Sequence, residues 1–357
     1  MSARLPFLLC FIAVFVMGLP AGATSQVTIS SDAMEIDLHG RLHFQYNTTS
    51  VVGEPASFFL IRRARITLTA KINDFVSGRV QPDFEGGEIN LKDAWVRVAF
   101  DPALRLTFGQ FKRPFDAFEL LTSSQILVIE RAGGVRGVST CAGPGGVCTF
   151  SRFTEKLQFS DRDIGIMADG SSGNVDYYLS ITNGEGANTF DGNGGKSYTG
   201  RVRVTPKSDI RLGFNVGVHD YVNDSTSNTD YAMAAGADVD IGNSSQGLRV
   251  MGGVIGGRNW SNLDALGETS TFVTAQGIVT YRKPIQGSGL IRAVEPVGRV
   301  SVGDPDTDVS SDGGWLLTPG LVLHFQGQNK LAANLDVWAP SSGSTEWSFK
   351  FQSYLYF

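Results

Sequence analysis

Apolar and polar residues alternate along this chain in short runs, and that period of two is the strongest constraint on its fold. Residues 35–47, EIDLHGRLHFQYN, set Ile36, Leu38, Leu42, Phe44 and Tyr46 on one side and Asp37, His39, Arg41, His43, Gln45 and Asn47 on the other. The pattern recurs in ARITLTAK (64–71), ALRLTFGQF (103–111), DIRLGFNVGVH (209–219) and EWSFKFQSYLYF (346–357). Successive side chains of a β-strand point to opposite faces, so each run reads as a strand with one apolar and one polar face. Such runs begin near residues 35, 57, 74, 88, 102, 161, 174, 197, 209, 229, 246, 270, 289, 313, 328 and 345, which makes sixteen. Gly, Asn, Asp, Ser and Pro separate them, as turn chemistry requires.

The polar faces of so many strands cannot all be the solvent surface of a single sandwich. A closed barrel in lipid satisfies every backbone group and leaves no edge strand. Its apolar faces then meet lipid and its polar faces line water. The expected fold is therefore all-β, a transmembrane antiparallel β-barrel of 16 strands over residues 35–357, preceded by a short segment, 24–34. Charged residues make up 18% of the chain, below the roughly 25% of ordinary soluble domains. The aromatics Trp315, Trp338, Trp347, Tyr354 and Phe357 are expected in the interfacial girdles. The longest break between strands, about 115–160, is expected to fold into the lumen and narrow it, because gaps of that length inside an ordered architecture are usually functional or disordered. A secreted sandwich or propeller would also explain alternation, but not an aromatic closing residue.

The N-terminus, MSARLPFLLCFIAVFVMGLPAGA, has one basic residue, an apolar run and a small-residue site, the layout of a cleavable signal peptide over residues 1–23. Loss of Arg4 with it takes the formal charge from −5 to −6. Export makes Cys141 and Cys148 a candidate disulfide across the turn AGPGGV, since they become the only two cysteines. Little else suggests chemistry. His39 and His43 share a strand face about 13 Å apart, too far to chelate one ion, and no local motif offers a nucleophile with its base. No metal or cofactor is expected, and an acidic exported chain has no basic footprint for nucleic acid.

Two resemblances add to this reading. The last strand, with Trp347, Phe349, Phe351 and Leu355 on its apolar face and Phe357 at its end, resembles the C-terminal signature of bacterial outer-membrane proteins that the barrel-insertion machinery reads. Ser353 departs from that pattern. In the first third, the Arg-Arg-Ala-Arg strand (62–65), Lys92-Asp93-Ala94-Trp95, Gly109-Gln110-Phe111-Lys112 with Pro114, Glu130-Arg131 and Arg162-Asp163-Ile164-Gly165 follow one another in order. As an ordered set over about 35–170 they resemble the phosphate-selective porin O and P family. That resemblance implies a sixteen-stranded barrel in the outer membrane, in contact with its lipids, assembled as a homotrimer and passing small hydrophilic solutes by diffusion, in some members with anion or phosphate preference.

Alternation phase assigns Arg41, Arg63, Arg65, Arg97, Arg105, Arg201, Arg203, Arg211 and Arg299 to the lumen. A row of guanidiniums beside a narrow aqueous path would favour anions. The same row facing Asp83, Glu85, Asp93, Glu119 and Glu130 would instead hold the folded-in segment and polarise the constriction. Both readings stand at this stage. Lys112, Arg113, Glu119, Glu130 and Arg131 are the charged candidates at the constriction. Phe111, Phe115 and Phe118 could line it or anchor it. With 9 Lys against 21 Arg, no lysine cluster for phosphate can be assigned. A barrel with an anchoring role, or an outer-membrane enzyme built from distant strands, is the alternative to transport.

Overall fold

Each alternating run forms one strand, and each strand pairs antiparallel with the next. The computed structural model describes residues 27–31, 34–52, 55–131, 150–264, 266–287 and 289–357. The strands are β1 (Val27–Ser30), β2 (Glu35–Thr49), β3 (Ser57–Lys71), β4 (Val76–Asp83), β5 (Asn90–Asp101), β6 (Leu104–Lys112), β7 (Arg162–Ser172), β8 (Val175–Thr182) and β9 (Ser197–Lys207). They continue as β10 (Ile210–Val222), β11 (Thr229–Gly242), β12 (Gly247–Leu263), β13 (Thr269–Pro284), β14 (Ala293–Asp304), β15 (Gly314–His324), β16 (Lys330–Pro340) and β17 (Glu346–Tyr356). The sixteen strands β2 to β17 close into a ring when β17 pairs with β2, from Ser348 opposite Thr49 to Tyr356 opposite Arg41. The short β1 adds to β2 below that seam, Val27 opposite Leu38, and was not expected from the sequence.

Closure leaves no open edge, and the pleat then sorts side chains by parity. Phe59, Ile66, Val96, Leu179, Val216 and Met233 are exposed on the outer wall, the apolar band that a lipid-embedded barrel presents. Two prolines fit without breaking the ring. Opposite Glu295 and Pro296 the β13 ladder skips Tyr281 and Arg282, and beside Thr318 and Pro319 the β16 ladder skips likewise. The girdle expectation needs correction for two residues. Trp338 shares the parity of Asn334 and Asp336, and Tyr354 that of Lys350 and Gln352, so both are buried inside the barrel, while Trp315, Trp347 and Phe357 face outward.

The two rims differ. Residues 72–75, 102–103, 173–174 and 208–209 make tight turns at one end, whereas 183–196, 305–313 and the ends of β6 and β7 that flank the long connection belong to the other. The segment after β6 turns into the barrel. Its described parts, including helices α1 (Ala117–Leu120) and α2 (Phe150–Lys156), pack inside the ring. Cys141 and Cys148 lie outside the described residues, as do residues 1–23.

Candidate functional site: a constricted, charged lumen

The inward segment has an apolar face and needs an apolar seat. Strands β10 to β14 supply it, because their inward positions carry Ala232, Ala234, Met251, Ile255, Phe272 and Ile278 instead of polar residues. Phe115, Phe118, Phe150, Phe153, Leu157 and Phe159 pack onto them. Phe153 stacks on Phe272 with ring centroids 4.8 Å apart. Glycine makes the approach possible at two places: a Cβ on Gly217 would lie 3.0 Å from Phe159, and one on Gly253 would lie 3.2 Å from both Phe118 and Phe150. The Trp260 indole N–H donates to the Leu157 carbonyl at 2.9 Å. Phe115 and Phe118 are therefore buried anchors, and Phe111 is buried too.

The far side of the segment is stitched to the wall through polar groups. Lys330 donates to the carbonyls of Ser124 and Ile126 at 3.1 and 3.2 Å. Ile129 N–H donates to Asn334 Oδ1 at 2.6 Å, and Arg299 Nη1 to the Glu130 carbonyl at 2.9 Å. Arg41 reaches Ser123 Oγ at 2.5 Å. The Glu130 carboxylate takes two nitrogens of Arg62 at 3.0–3.1 Å and Gln45 Nε2 at 3.0 Å, and Arg62 also holds Glu85 at 3.1 Å. Arg62 was missed by alternation. Ile61 pairs with Phe44 and Arg63 with His43, so Arg62 is an extra residue, and this β-bulge turns two consecutive arginines inward.

All nine lumen-assigned arginines have inward parity, but they divide into covered and open groups. Arg63, Arg65, Arg201 and Arg299 are covered; the side chain of Arg299 is 1% exposed. Arg65 pairs with Asp83 at 2.6 Å, Arg201 with Asp238 at 2.6 Å and Arg299 with Asp336 at 3.0 Å. Arg63 meets His43 Nδ1 at 3.4 Å. These four brace the wall or the inward segment and do not face open water. Arg97 and Arg105 share Asp169 at 3.6 and 2.5 Å, Arg203 pairs with Asp176 at 2.8 Å, and Arg211 and Arg249 share Asp240 at 3.0 and 2.9 Å. Together they form a belt of ion pairs toward the tight-turn rim. Lys112 is the last residue of β6 and not part of the loop. It and Arg131 both face Glu119 at 3.9 Å, and Arg113 lies 3.6 Å from Asp163.

With the seat on β10–β14 and the stitches on β14–β17, β2 and β3, the wall left uncovered is that of β4 to β9. Arg79, Arg97, Arg105 and Arg203 are open cations on it, with side chains 38%, 29%, 31% and 40% exposed. Arg79 and Arg97 flank the Trp95 ring at 5.3 and 5.0 Å from its centroid. Arg79 lies 4.0 Å from Asp93, which Arg162 holds at 2.7 Å. Arg79, Arg249 and Arg162 went unassigned because each looks like any strand arginine until its register is known. Among the described residues no group of three or more His, Cys, Asp or Glu side chains could hold a metal ion.

A sixteen-stranded ring with an apolar outer wall, a charged lumen and a segment folded across it is a membrane channel of the porin class. Residues 36–251 match the family model described as phosphate-selective porin O and P, and the chain belongs to that family. No curated protein matches the sequence. Solved structures agree in fold. The anion-selective porin from Comamonas acidovorans is 12% identical with a TM-score of 0.63, covering 91% of this chain and 100% of its own. The outer-membrane channel DcaP of Acinetobacter baumannii is 12% identical with a TM-score of 0.61, covering 92% and 99%. The trimer form of OmpT from Vibrio cholerae is 12% identical with a TM-score of 0.59, covering 91% and 100%. The protein is an outer-membrane channel for small hydrophilic solutes and not an enzyme.

Proposed function

We propose that this channel prefers anions and that its open arginine wall sets the preference. The observation that carries this is a local imbalance: Arg79, Arg97, Arg105 and Arg162 share three carboxylates, Asp93, Asp161 and Asp169. Ion pairing lowers the field of the other arginines but leaves positive charge in excess here, where the path is least covered. A charged wall beside a narrow aqueous path biases which ion enters. The anion selectivity of the Comamonas acidovorans porin agrees with this reading. Phosphate is not singled out. Lys330 and Lys350 are buried, the first spent on loop carbonyls and the second on Asp336.

The test is the reversal potential of purified protein in a planar bilayer under a KCl gradient. Anion-side reversal is expected, and changing Arg79, Arg97 and Arg105 together to Gln should move it toward the cation side. An unchanged permeability ratio would remove the arginines from selectivity.

We further infer that residues 1–23 are cleaved on export, that Cys141 and Cys148 form a disulfide, and that the channel assembles as a trimer, the form in which OmpT of Vibrio cholerae is found. Intact and native mass spectrometry of protein from outer membranes reports all three. A mature N-terminus at Thr24, two extra alkyl groups only after reduction, and a three-subunit particle are expected. Recognition of Phe357 by the insertion machinery predicts that Phe357→Ala lowers assembly in cells more than refolding in detergent. Equal losses would count against it.

A further inference from the structure

At the long-loop rim, a cavity of about 430 Å³ opens between the end of α2 and the segment 183–196. This volume falls in the range of small-molecule sites, about 300–1,000 Å³. It is polar, and several buried atoms around it make no hydrogen bond, although Arg113 has the Asp163 carboxylate 3.6 Å away. Arg113 is 2% exposed, yet its Nε and Nη1 make no hydrogen bond. Ser160 is fully buried with its Oγ unpartnered, and the Gln158 Oε1 is buried and unpartnered as well. Burying a polar atom without a partner costs about 1–3 kcal/mol. Four such atoms, on three residues around one cavity, mark a place where a ligand or its water supplies the missing bonds.

The orphans fall into two poles. Arg113 Nη2 donates to the Ser160 carbonyl at 2.7 Å, so the guanidinium and Ser160, whose hydroxyl can donate, are neighbours at one pole. Gln158 Oε1 is an acceptor, and a Cβ on Gly186 would lie 3.7 Å from it, which sets it beside Glu185 across the cavity. The lining charges balance, with Arg113, Lys156 and Arg162 against Glu155, Asp161 and Glu185. A plain anion would meet three carboxylates there, and a plain cation would meet three cationic groups. The backbone holds the poles in place: Gln158 and Asp161 have φ of 55° and 64°, and the Thr154 carbonyl accepts from Phe159 N and Ser160 N at 2.9 Å each.

We propose that this cavity is a binding site for small zwitterions, of amino-acid to dipeptide size. The solute carboxylate would meet Arg113 and Ser160, and its ammonium would meet Gln158 and Glu185. This deepens the channel reading, on which it rests for access to the lumen: the rim would hold a dipolar solute before it passes the arginine wall.

The probe is alanyl-alanine, compared with its N-acetyl derivative, which lacks the ammonium, and its C-terminal amide, which lacks the carboxylate. Calorimetry on folded protein in detergent reads binding, and interruptions of the KCl current in a bilayer read the same event in the open channel. The dipeptide is expected to bind and to interrupt current, with both half-charged analogues weaker by about tenfold or more, one charge-assisted hydrogen bond or its equivalent. Ser160→Ala, which removes an orphan and one small atom, should weaken the dipeptide several-fold. An N-acetyl derivative that binds as tightly as the dipeptide would overturn the proposal in favour of an anion site. Normal KCl conductance with neither heat nor interruption would overturn it outright. Dipeptide heat without KCl conductance would support the site and overturn the channel reading instead.

Discussion

Glu130 is the residue that most directly holds the inward segment to the wall. Burial alone would raise its pKa, but the Arg62 guanidinium outweighs that and holds the carboxyl below its ordinary value. A depressed acid contributes stability above its unfolded pKa, near 4.3, and that contribution is lost as pH falls through the lower native value. The tie should therefore stay intact through neutral pH and fail only in acid. Glu130→Gln keeps the shape and removes the charge. Breaking one side of a buried pair costs about 3–5 kcal/mol, and the remaining Glu85 contact on Arg62 should reduce that to roughly 1–3 kcal/mol. A larger, noisier single-channel conductance at pH 7 is expected, and an unchanged conductance would show that the seat on β10–β14 holds the segment alone. Glu130 was legible from its place beside Arg131 in an ordered motif. Its partner was not, because parity counting fails at a bulge: Arg62 falls on the lipid side if β3 is regular. The covering of Arg63 and Arg299 was equally hidden, since parity gives direction but not what lies above.

For the inward segment as an element, the polarity of its ends matters as much as its phenylalanines. Asp116 is fully buried with φ of 66°. It accepts from Phe118 N and from Thr154 Oγ1 at 2.9 Å each, tying α1 to α2. Burial, then the charge of Glu119, pushes its pKa up to about 7. An acid raised in this way contributes stability while protonated. The contribution is complete below the ordinary value of 3.8 and is lost as pH rises through about 7. The seating of the segment should therefore weaken as pH rises from about 4 to 7, opposite in sign to the acid failure at Glu130. Asp116→Asn keeps an acceptor for Phe118 N, and Asn tolerates the left-handed backbone. The thermal midpoint in detergent should fall between about pH 4 and 7 in the parent protein and change much less in the variant. Equal slopes would assign the dependence elsewhere. At this scale the strands were highly legible: each of the sixteen begins within a few residues of the place its alternation marks. The seat was less so, although β11 and β12 announce it. Ala232, Ala234, Met251 and Ile255 make those strands apolar or small on both faces, which a strand with lipid outside and water inside has no reason to be.

The whole molecule depends on one non-local pairing, β17 with β2, because every other seam joins neighbours in sequence. The pairing ends where Gly40 N–H donates to the Phe357 carbonyl at 2.5 Å and Phe357 N–H donates back to Gly40 at 3.1 Å. The Phe357 ring lies over Gly40, and a Cβ there would fall inside the ring's envelope. Glycine in a strand gives up side-chain packing, and the ring restores it from the neighbouring strand. Gly40→Val should displace the ring and cost about 1–3 kcal/mol, the usual range for overpacking. Phe357→Ala should cost a comparable amount by uncovering the glycine. The informative measurement is the double variant. If the two residues act through one contact, valine at 40 should cost little once the ring is gone, and the combined loss in thermal midpoint should fall well short of the sum. Additive losses would mean that Gly40 serves the bend of β2 for its own reasons and that closure does not rely on the ring.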